Sequence, residues 1–339
     1  MCAKSSPDRA AVAAAIAGAR SIVLTSHIRP DGDALGSCLA LHLAALAAGK
    51  RSRMLVLDSI PSRYRFLFAG AAEPICPTPM DAAFAAEADA ADLIVLVDTS
   101  AYTQLAPVAD VLKARRDKIA VIDHHATADD VGRVAWRDPT AAAAAVMVRE
   151  MLEELSWPLT AEAALPLATA LTTDTGWMHY SNADARAIHC LGKLVEAGVK
   201  LSELYTTLYQ TDSAARVKLL ARALDSMELH CGGRLSVVCL RQEDFAATGA
   251  AEDESEDFAS EPLRIASVEV ACTLIWQDDG VIRVSLRSRR TVDVAAIARA
   301  CNGGGHVRAA GCRSNQDIDT VKRQMIDRCS KALAEAGMA

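Results

Sequence analysis

At 339 residues, 51% of them hydrophobic, the chain is long enough for two domains with sizeable cores, and its formal net charge of −7 excludes a protein that coats long nucleic acid electrostatically. Aromatic residues are only 4% and alanine is abundant, which points to helices packed closely through small side chains. The ten cysteines, at 2, 38, 76, 190, 231, 239, 272, 301, 312 and 329, contain no C-x-x-C spacing; this excludes a zinc ribbon and reads as small hydrophobes in a reducing cytoplasm.

The first apolar run, Ala10 to Ala19, follows Asp8 and Arg9 and is too short to span a bilayer. No other stretch is long enough and uncharged enough to span one either, so the expectation is a cytoplasmic globular protein with no membrane partner. Ser21 to Ser26 predicts a strand, followed by a polar loop and a helix from Ala34 to Ala48 that Gly49 ends. Met54 to Leu57, Leu93 to Val97 and Ile119 to Ile122 predict three more strands, apolar enough to be buried on both faces. Strands separated by helices imply right-handed crossovers and a doubly wound α/β domain with a parallel sheet. From Pro139 to Asp225 the pattern turns helical. Residues 234–240, 266–276 and 281–288 then read as strands, with helices near Val294 and Ile318, so the second half is a smaller α+β domain. The acidic stretch Asp244 to Pro262 reads as a solvated loop or weak helix. The expected division is a catalytic domain over 1–195, a helical linker over 196–225 and a substrate-binding domain over 226–339.

The acids and imidazoles fall at strand ends. The first strand leads into Ser26-His27-Ile28-Arg29-Pro30-Asp31-Gly32-Asp33, the third ends in Asp98-Thr99, and the fourth ends in Asp123-His124-His125. The helical region adds Thr172-Thr173-Asp174-Thr175-Gly176. Ligands of open parallel sheets bind outside the carboxyl ends of the strands, so three strand ends deliver these groups to one lip. Gly32 is expected to let the chain bend between two carboxylates. So many carboxylates together would repel unless cations neutralised them. Oxygen ligands with a minority of imidazoles and no thiolate favour Mn²⁺ or Mg²⁺ over structural zinc, manganese first. A single strand-end Asp is ordinarily a helix cap or turn former, and Asp58, with no histidine beside it, reads that way. His42, His189 and His230 read as structural, while His179 could pack in the core or line the site.

In the second half, Ile282, Val284 and Leu286 share one strand face, and Arg283, Ser285 and Arg287 share the other. Arg287 could fork onto a phosphate. Gly303, Gly304 and Gly305 could let backbone N–H groups converge on an anion, with His306 as a further donor and a helix beginning just after. The plain alternative is a solvated strand edge and a glycine turn. Arg289 and Arg290 read as edge charges that discourage strand pairing.

The ordered motifs resemble the DHH phosphoesterase superfamily, whose signature is Asp123-His124-His125. Ser285-Leu286-Arg287-Ser288, Gly303-Gly304-Gly305-His306 and Ala309-Ala310-Gly311 resemble its DHH-associated C-terminal domain, with Asn302 standing where another glycine is expected. The resemblance runs from Ile22 to Gly311, and the compact layout is similar to the nano-RNase and 3′-phosphoadenosine 5′-phosphate (pAp) phosphatase group. The chain is shorter than expected of a RecJ-type exonuclease and lacks the membrane or sensor segments of membrane-bound cyclic dinucleotide phosphodiesterases. The resemblance implies two Mn²⁺ ions, with Mg²⁺ or Co²⁺ as substitutes. It places one ion on His27, Asp31 and Asp98 and the other on Asp33, Asp98, His124 and Asp174, with Asp98 bridging. It further implies His125 beside the scissile phosphate, Asp123 orienting its neighbours, and Arg287, Ser288, Gly303, Gly304, Gly305 and His306 on the substrate. The implied reaction is hydrolysis of short oligoribonucleotides, linear dinucleotides such as pApA or pGpG, or pAp, with a homodimer expected. The competing readings are a phosphatase for another small metabolite such as pyrophosphate, and a non-catalytic nucleotide-binding module.

Overall fold

Short apolar runs build the first sheet, in the order β2-β1-β3-β4-β5 with every pairing parallel. In this computed structural model, which describes residues 7–69 and 80–338, the chain divides into two units, Met1–Gln210 and Thr211–Ala339. The sheet of the first unit comprises β1 (Ser21–Thr25), β2 (Arg51–Met54), β3 (Leu93–Val97), β4 (Ile119–Asp123) and β5 (Val134–Arg137). Its helices are α1 (Pro7–Gly18), α2 (Gly32–Ala47), α3 (Met80–Ala90), α4 (Ala109–Lys113), α5 (Ala144–Glu154), α6 (Ala161–Asp174), α7 (Ala185–Glu196) and α8 (Leu201–Tyr209).

Alternation along the strands explains the layering. Ile22, Leu24, Val95, Val97 and Ile122 enter the core made with α1, α2, α5 and α6. Their neighbours Val23, Ile94, Leu96 and Val121 enter a second core with Phe84, Leu105 and Leu112 on the opposite face. The doubly wound expectation therefore holds. The second strand differs from its predicted span: Arg51–Met54 pairs with β1, and the apolar run continues buried beyond the strand. β5 is missed by hydropathy reasoning because it is short and only Trp136 in it is buried.

The second unit comprises α9 (Ala214–Asp225), β6 (Glu228–His230), β7 (Leu235–Leu240), α10 (Gln242–Thr248), β8 (Val270–Trp276), β9 (Ile282–Ser288), α11 (Val294–Arg299), β10 (Gly304–His306), β11 (Ala309–Ser314) and α12 (Ile318–Glu335). Its mixed sheet runs β10-β11-β9-β8-β7-β6, with only β7 and β8 parallel. α11 and α12 cover one face over Val237, Cys272, Val284 and Leu286. The boundary between units falls inside the expected linker, so α8 belongs to the first unit and α9 to the second.

Three expectations need correction here. The acidic stretch holds the short helix α10, as one of its two readings allowed, but it is not solvated throughout, because Phe245 of α10 and Phe258 bury themselves with Leu219, Val238 and Ile275. The glycine run leads into a β10–β11 hairpin, with α11 before it, so no helix starts after it. Arg289 is a tether: its guanidinium donates to the carbonyls of Leu263, Val268 and Ile265, the last at 2.7 Å. The eight cysteines among the described residues are all free, with Cys2 and Cys76 outside them. No helix among the described residues is long and apolar enough to cross a membrane.

One contact places the site. α2 lies against α6 at two glycines, where a Cβ on Gly32 would sit 2.3 Å from Thr173 Oγ1 and one on Gly36 would sit 2.3 Å from the Pro166 carbonyl oxygen. Gly32 thus serves close approach of two helices, whereas a bend was expected. Gly36→Ala gains up to about 1 kcal/mol of helix propensity but must push α2 off a backbone carbonyl. The expected net loss of stability is about 1–3 kcal/mol, read as a lower urea midpoint at unchanged m.

Candidate metal centre

The polar groups gather where the strand order reverses, at the carboxyl ends of β1 and β3. His27 follows β1, Asp31 and Asp33 open α2, Asp98 follows β3, Asp123 ends β4 with His124 and His125 after it, and Asp174 ends α6. Asp98 sits at the middle. Its backbone is left-handed, φ 63°, a conformation that costs an L-residue on the order of 1 kcal/mol and that Asp tolerates better than most. One oxygen lies 3.4 Å from His27 Nε2 and the other 3.2 Å from His124 Nε2. His27 Nε2 is also 4.0 Å from Asp31, and His124 Nε2 is 3.7 Å from Asp33 and 3.9 Å from Asp174. His27–Asp31–Asp98 and Asp33–His124–Asp174 therefore form two ligand groups, Asp98 touches a histidine of each, and a third group, Asp98–His124–His125, overlaps both.

Surroundings fix the donors. His27 Nδ1 meets the Ile28 carbonyl at 2.8 Å and His124 Nδ1 meets the Ala141 carbonyl at 3.2 Å. A carbonyl only accepts, so each Nδ1 carries the proton and each neutral ring turns a lone pair on Nε2 toward Asp98. Asp33 is 1% exposed and accepts from Ala144 N–H at 2.6 Å, Ala145 N–H at 3.0 Å and the Ser37 hydroxyl at 2.9 Å. Asp31 caps α2 by accepting from the N–H groups of Asp33 and Ala34, so capping and site membership coincide in one residue. The threonines around Asp174 bond back to carbonyls of α6 and hold its last turn.

A divalent cation fits this donor set. Asp98 Oδ1 is buried with no well-aligned donor, and the Nε2 atoms of two imidazoles converge on the same carboxylate. Without a cation the acids lean on protons. Burial lowers the affinity of His27 and His124 for a proton, but Asp98, joined by Asp31 at His27 and by Asp33 and Asp174 at His124, outweighs it and raises them to about 9 and about 10. Burial raises Asp98, and the two histidines more than reverse this, to about 2. Burial and the charge of Asp98 push Asp33 well up, and burial takes Asp174 to about 6.

His125 stands beside these groups, its Nδ1 2.8 Å from Asp123 Oδ1 and 3.7 Å from Asp98. Asp123 is fully buried and accepts from the Ser100 hydroxyl, a partner that nothing in the local pattern announces. The residues read as bystanders stay apart: His42 meets Ser52 Oγ at 2.8 Å, Asp58 accepts from Ser59 N–H in a turn, and His189 is exposed. His179 is exposed with its Nδ1 on the Gly176 and Trp177 carbonyls, neither core nor site.

In the second unit, Arg283, Ser285, Arg287, Gly303, Gly304, Gly305 and Arg313 line an open cleft of about 580 Å³. Arg313 lies directly across the strands from Arg283, and opposed like charges destabilise a sheet unless an anion lies between them. Arg313 escaped sequence reasoning because β11 did. Two expected members sit elsewhere. Ser288 falls on the core face with Leu286 and donates to the Val292 carbonyl at 2.7 Å, and His306 is exposed and does not line the cleft.

Known proteins share this layout. The profile of the DHH family N-terminal domain matches residues 21–172, and that of the DHHA1 domain matches residues 236–335. A Thermus thermophilus protein named bifunctional oligoribonuclease and PAP phosphatase NrnA is 31% identical over 322 residues, 93% of this chain and 91% of that protein. The Bacillus subtilis protein of the same name is 26% identical over 301 residues, covering 86% and 88%. A crystal structure of an exopolyphosphatase-related protein from Bacteroides fragilis superposes with a TM-score of 0.89 at 24% identity over 96% of both chains, a likeness of fold.

Cation uptake must displace the protons of His27 and His124, since both are raised above neutrality and only the neutral rings ligate. Calorimetric titration of the metal-free chain near pH 7.5, repeated in buffers of different ionisation enthalpy, should show proton release approaching one from each histidine. Affinity should climb as pH rises toward their raised values; uptake independent of pH and buffer would contradict this.

Proposed function

The chain belongs to the DHH phosphoesterase family, and from that premise we propose that it hydrolyses short oligoribonucleotides, including linear dinucleotides such as pApA and pGpG, and pAp, to mononucleotides. The observation that carries this reading is Asp98, whose two oxygens reach histidines of separate ligand groups. His27, Asp31 and Asp98 would hold one divalent cation, and Asp33, Asp98, His124 and Asp174 a second. When bound, a pair of Mn²⁺ ions, or Mg²⁺ or Co²⁺ in their place, supplies an acidified water and neutralises charge on the phosphoryl oxygens.

The remaining work falls to the chain's own groups. Asp123 orients His125 through Nδ1, and its hydrogen bond raises the imidazole's proton affinity, so Nε2–H stays available to a phosphoryl oxygen or the leaving 3′-oxygen. Its side chain is 41% exposed, open enough to meet substrate. Arg287, Arg283 and Arg313 with the glycine run line a compact cleft suited to a phosphorylated group, since a forked guanidinium matches phosphate. No long basic groove is required.

The test is a panel of pApA, pGpG, pAp, pyrophosphate and a length series from two to about ten nucleotides, with Mn²⁺. Dinucleotides and pAp should be consumed, longer chains poorly, and chelator should stop all turnover. Turnover confined to pyrophosphate would instead mark a phosphatase of another metabolite, and tight binding without hydrolysis a non-catalytic module. Asp98→Ala should lose more than about 100-fold in kcat, beyond the loss seen on removing even an outer partner of a ligand, with unchanged circular dichroism. Arg287→Lys keeps the charge but not the fork, and should raise KM about 10-fold at nearly constant kcat.

A further inference from the structure

The segment 138–145, which runs from the end of β5 into the first turn of α5, supports the metal centre through its backbone. Asp138 N–H donates to the Asp123 carbonyl at 3.0 Å, the Ala141 carbonyl orients His124, and the Ala144 and Ala145 N–H groups bind both oxygens of Asp33. The alanine side chains make none of these bonds, so the segment is placed by whatever ties it down. One tie is Arg186 of α7, which forks onto Glu150 at 2.7 and 2.8 Å and reaches Asp138 at 2.6 Å. The other is Asn182. Its Nδ2 donates to the Ala142 carbonyl at 3.0 Å and to the Asp174 carbonyl at 3.2 Å.

Both partners of Asn182 are carbonyls, so the amide nitrogen must face them. Its Oδ1 is buried and receives no hydrogen bond, which leaves the two N–H bonds to hold the amide. The Asp174 carbonyl is one of the four that a helix leaves open at its C-terminal end. Thr175, Trp177 and Gly176 N–H groups satisfy those of Leu171, Thr172 and Thr173, and Asn182 supplies the bond for the fourth.

Resting on the reading of Asp33, His124 and Asp174 as ligands of one cation, we infer that Asn182 is a positioning residue that pins the end of α6 to the 138–145 segment. Asp33 and His124 are oriented from that segment and Asp174 from α6. The Asn182 amide is the joint between the two supports, so it sets how closely the three ligand atoms converge. The His27–Asp31–Asp98 group does not use this joint. Loss of the amide should therefore weaken one cation position and spare the other.

The probe is Mn²⁺ alone, titrated calorimetrically into the full chain, with the electron paramagnetic resonance spectrum followed in parallel. The parent should take up two ions and show the signature of an interacting pair. Asn182→Ala should keep one tight ion and bind the second about 10- to 100-fold more weakly, the range for removing an outer support of a metal ligand. The pair signal should fade, and kcat should fall with little change in KM, while metal-free circular dichroism stays as in the parent. Asn182→Leu, which conserves volume but has no donor, gives the same readout if the alanine variant folds poorly. Two ions bound with parental affinity and spectrum in these variants would overturn the role of Asn182 alone. A parent chain that takes up no Mn²⁺ would overturn both this role and the reading of the site.

Discussion

A carboxylate that is only 2% exposed, in contact with two imidazoles, sets the terms for everything around it. Asp98 cannot shed its charge easily, because His27 and His124 hold it ionised, and it cannot be solvated where it lies. Three further carboxylates, Asp31, Asp33 and Asp174, stand within reach of the same rings. Such a cluster is stable only with positive charge at its centre, carried either by protons on the imidazoles or by cations. Proton affinity and cation affinity are thus two descriptions of one electrostatic demand.

The fold meets this demand by joining elements that are remote in the chain. Sheet order brings β1 beside β3 and β3 beside β4, which places His27, Asp98 and His124 along one edge. Glycines at 32 and 36 let α2 and α6 approach closely enough to add Asp33 and Asp174. Backbone groups of the 138–145 segment then orient His124 and Asp33. Most of the orienting bonds are made by main-chain atoms or by small hydroxyl side chains. This suits a chain rich in alanine.

Much of this was legible in the residues. β1, β3 and β4 are fully buried apolar runs, so hydropathy alone finds them, and each ends at the acid or imidazole that matters. What hydropathy misses follows from physics as well. β5 and β10 are short, and between them only Trp136 is buried, so neither shows as an apolar run. The glycine run reads equally as an anion loop before a helix or as a tight hairpin, and only the pairing of Gly304 with Gly311 decides between them. The resemblance of 285–288 to the DHH-associated domain implies Ser288 on the substrate, although period-two alternation puts it on the face opposite Arg287. Asn182 and Ser100 carry no local signal, since a hydrogen bond across many residues leaves no trace in spacing, and Arg313 shows only once β11 is paired with β9.

The central claim is that one buried aspartate is shared by two cations. Crystals grown with Mn²⁺, with anomalous scattering measured at the manganese edge, test it most directly. The account predicts two peaks roughly 3.5–4 Å apart with the Asp98 carboxylate between them. A single peak, or peaks that leave Asp98 untouched, would contradict it.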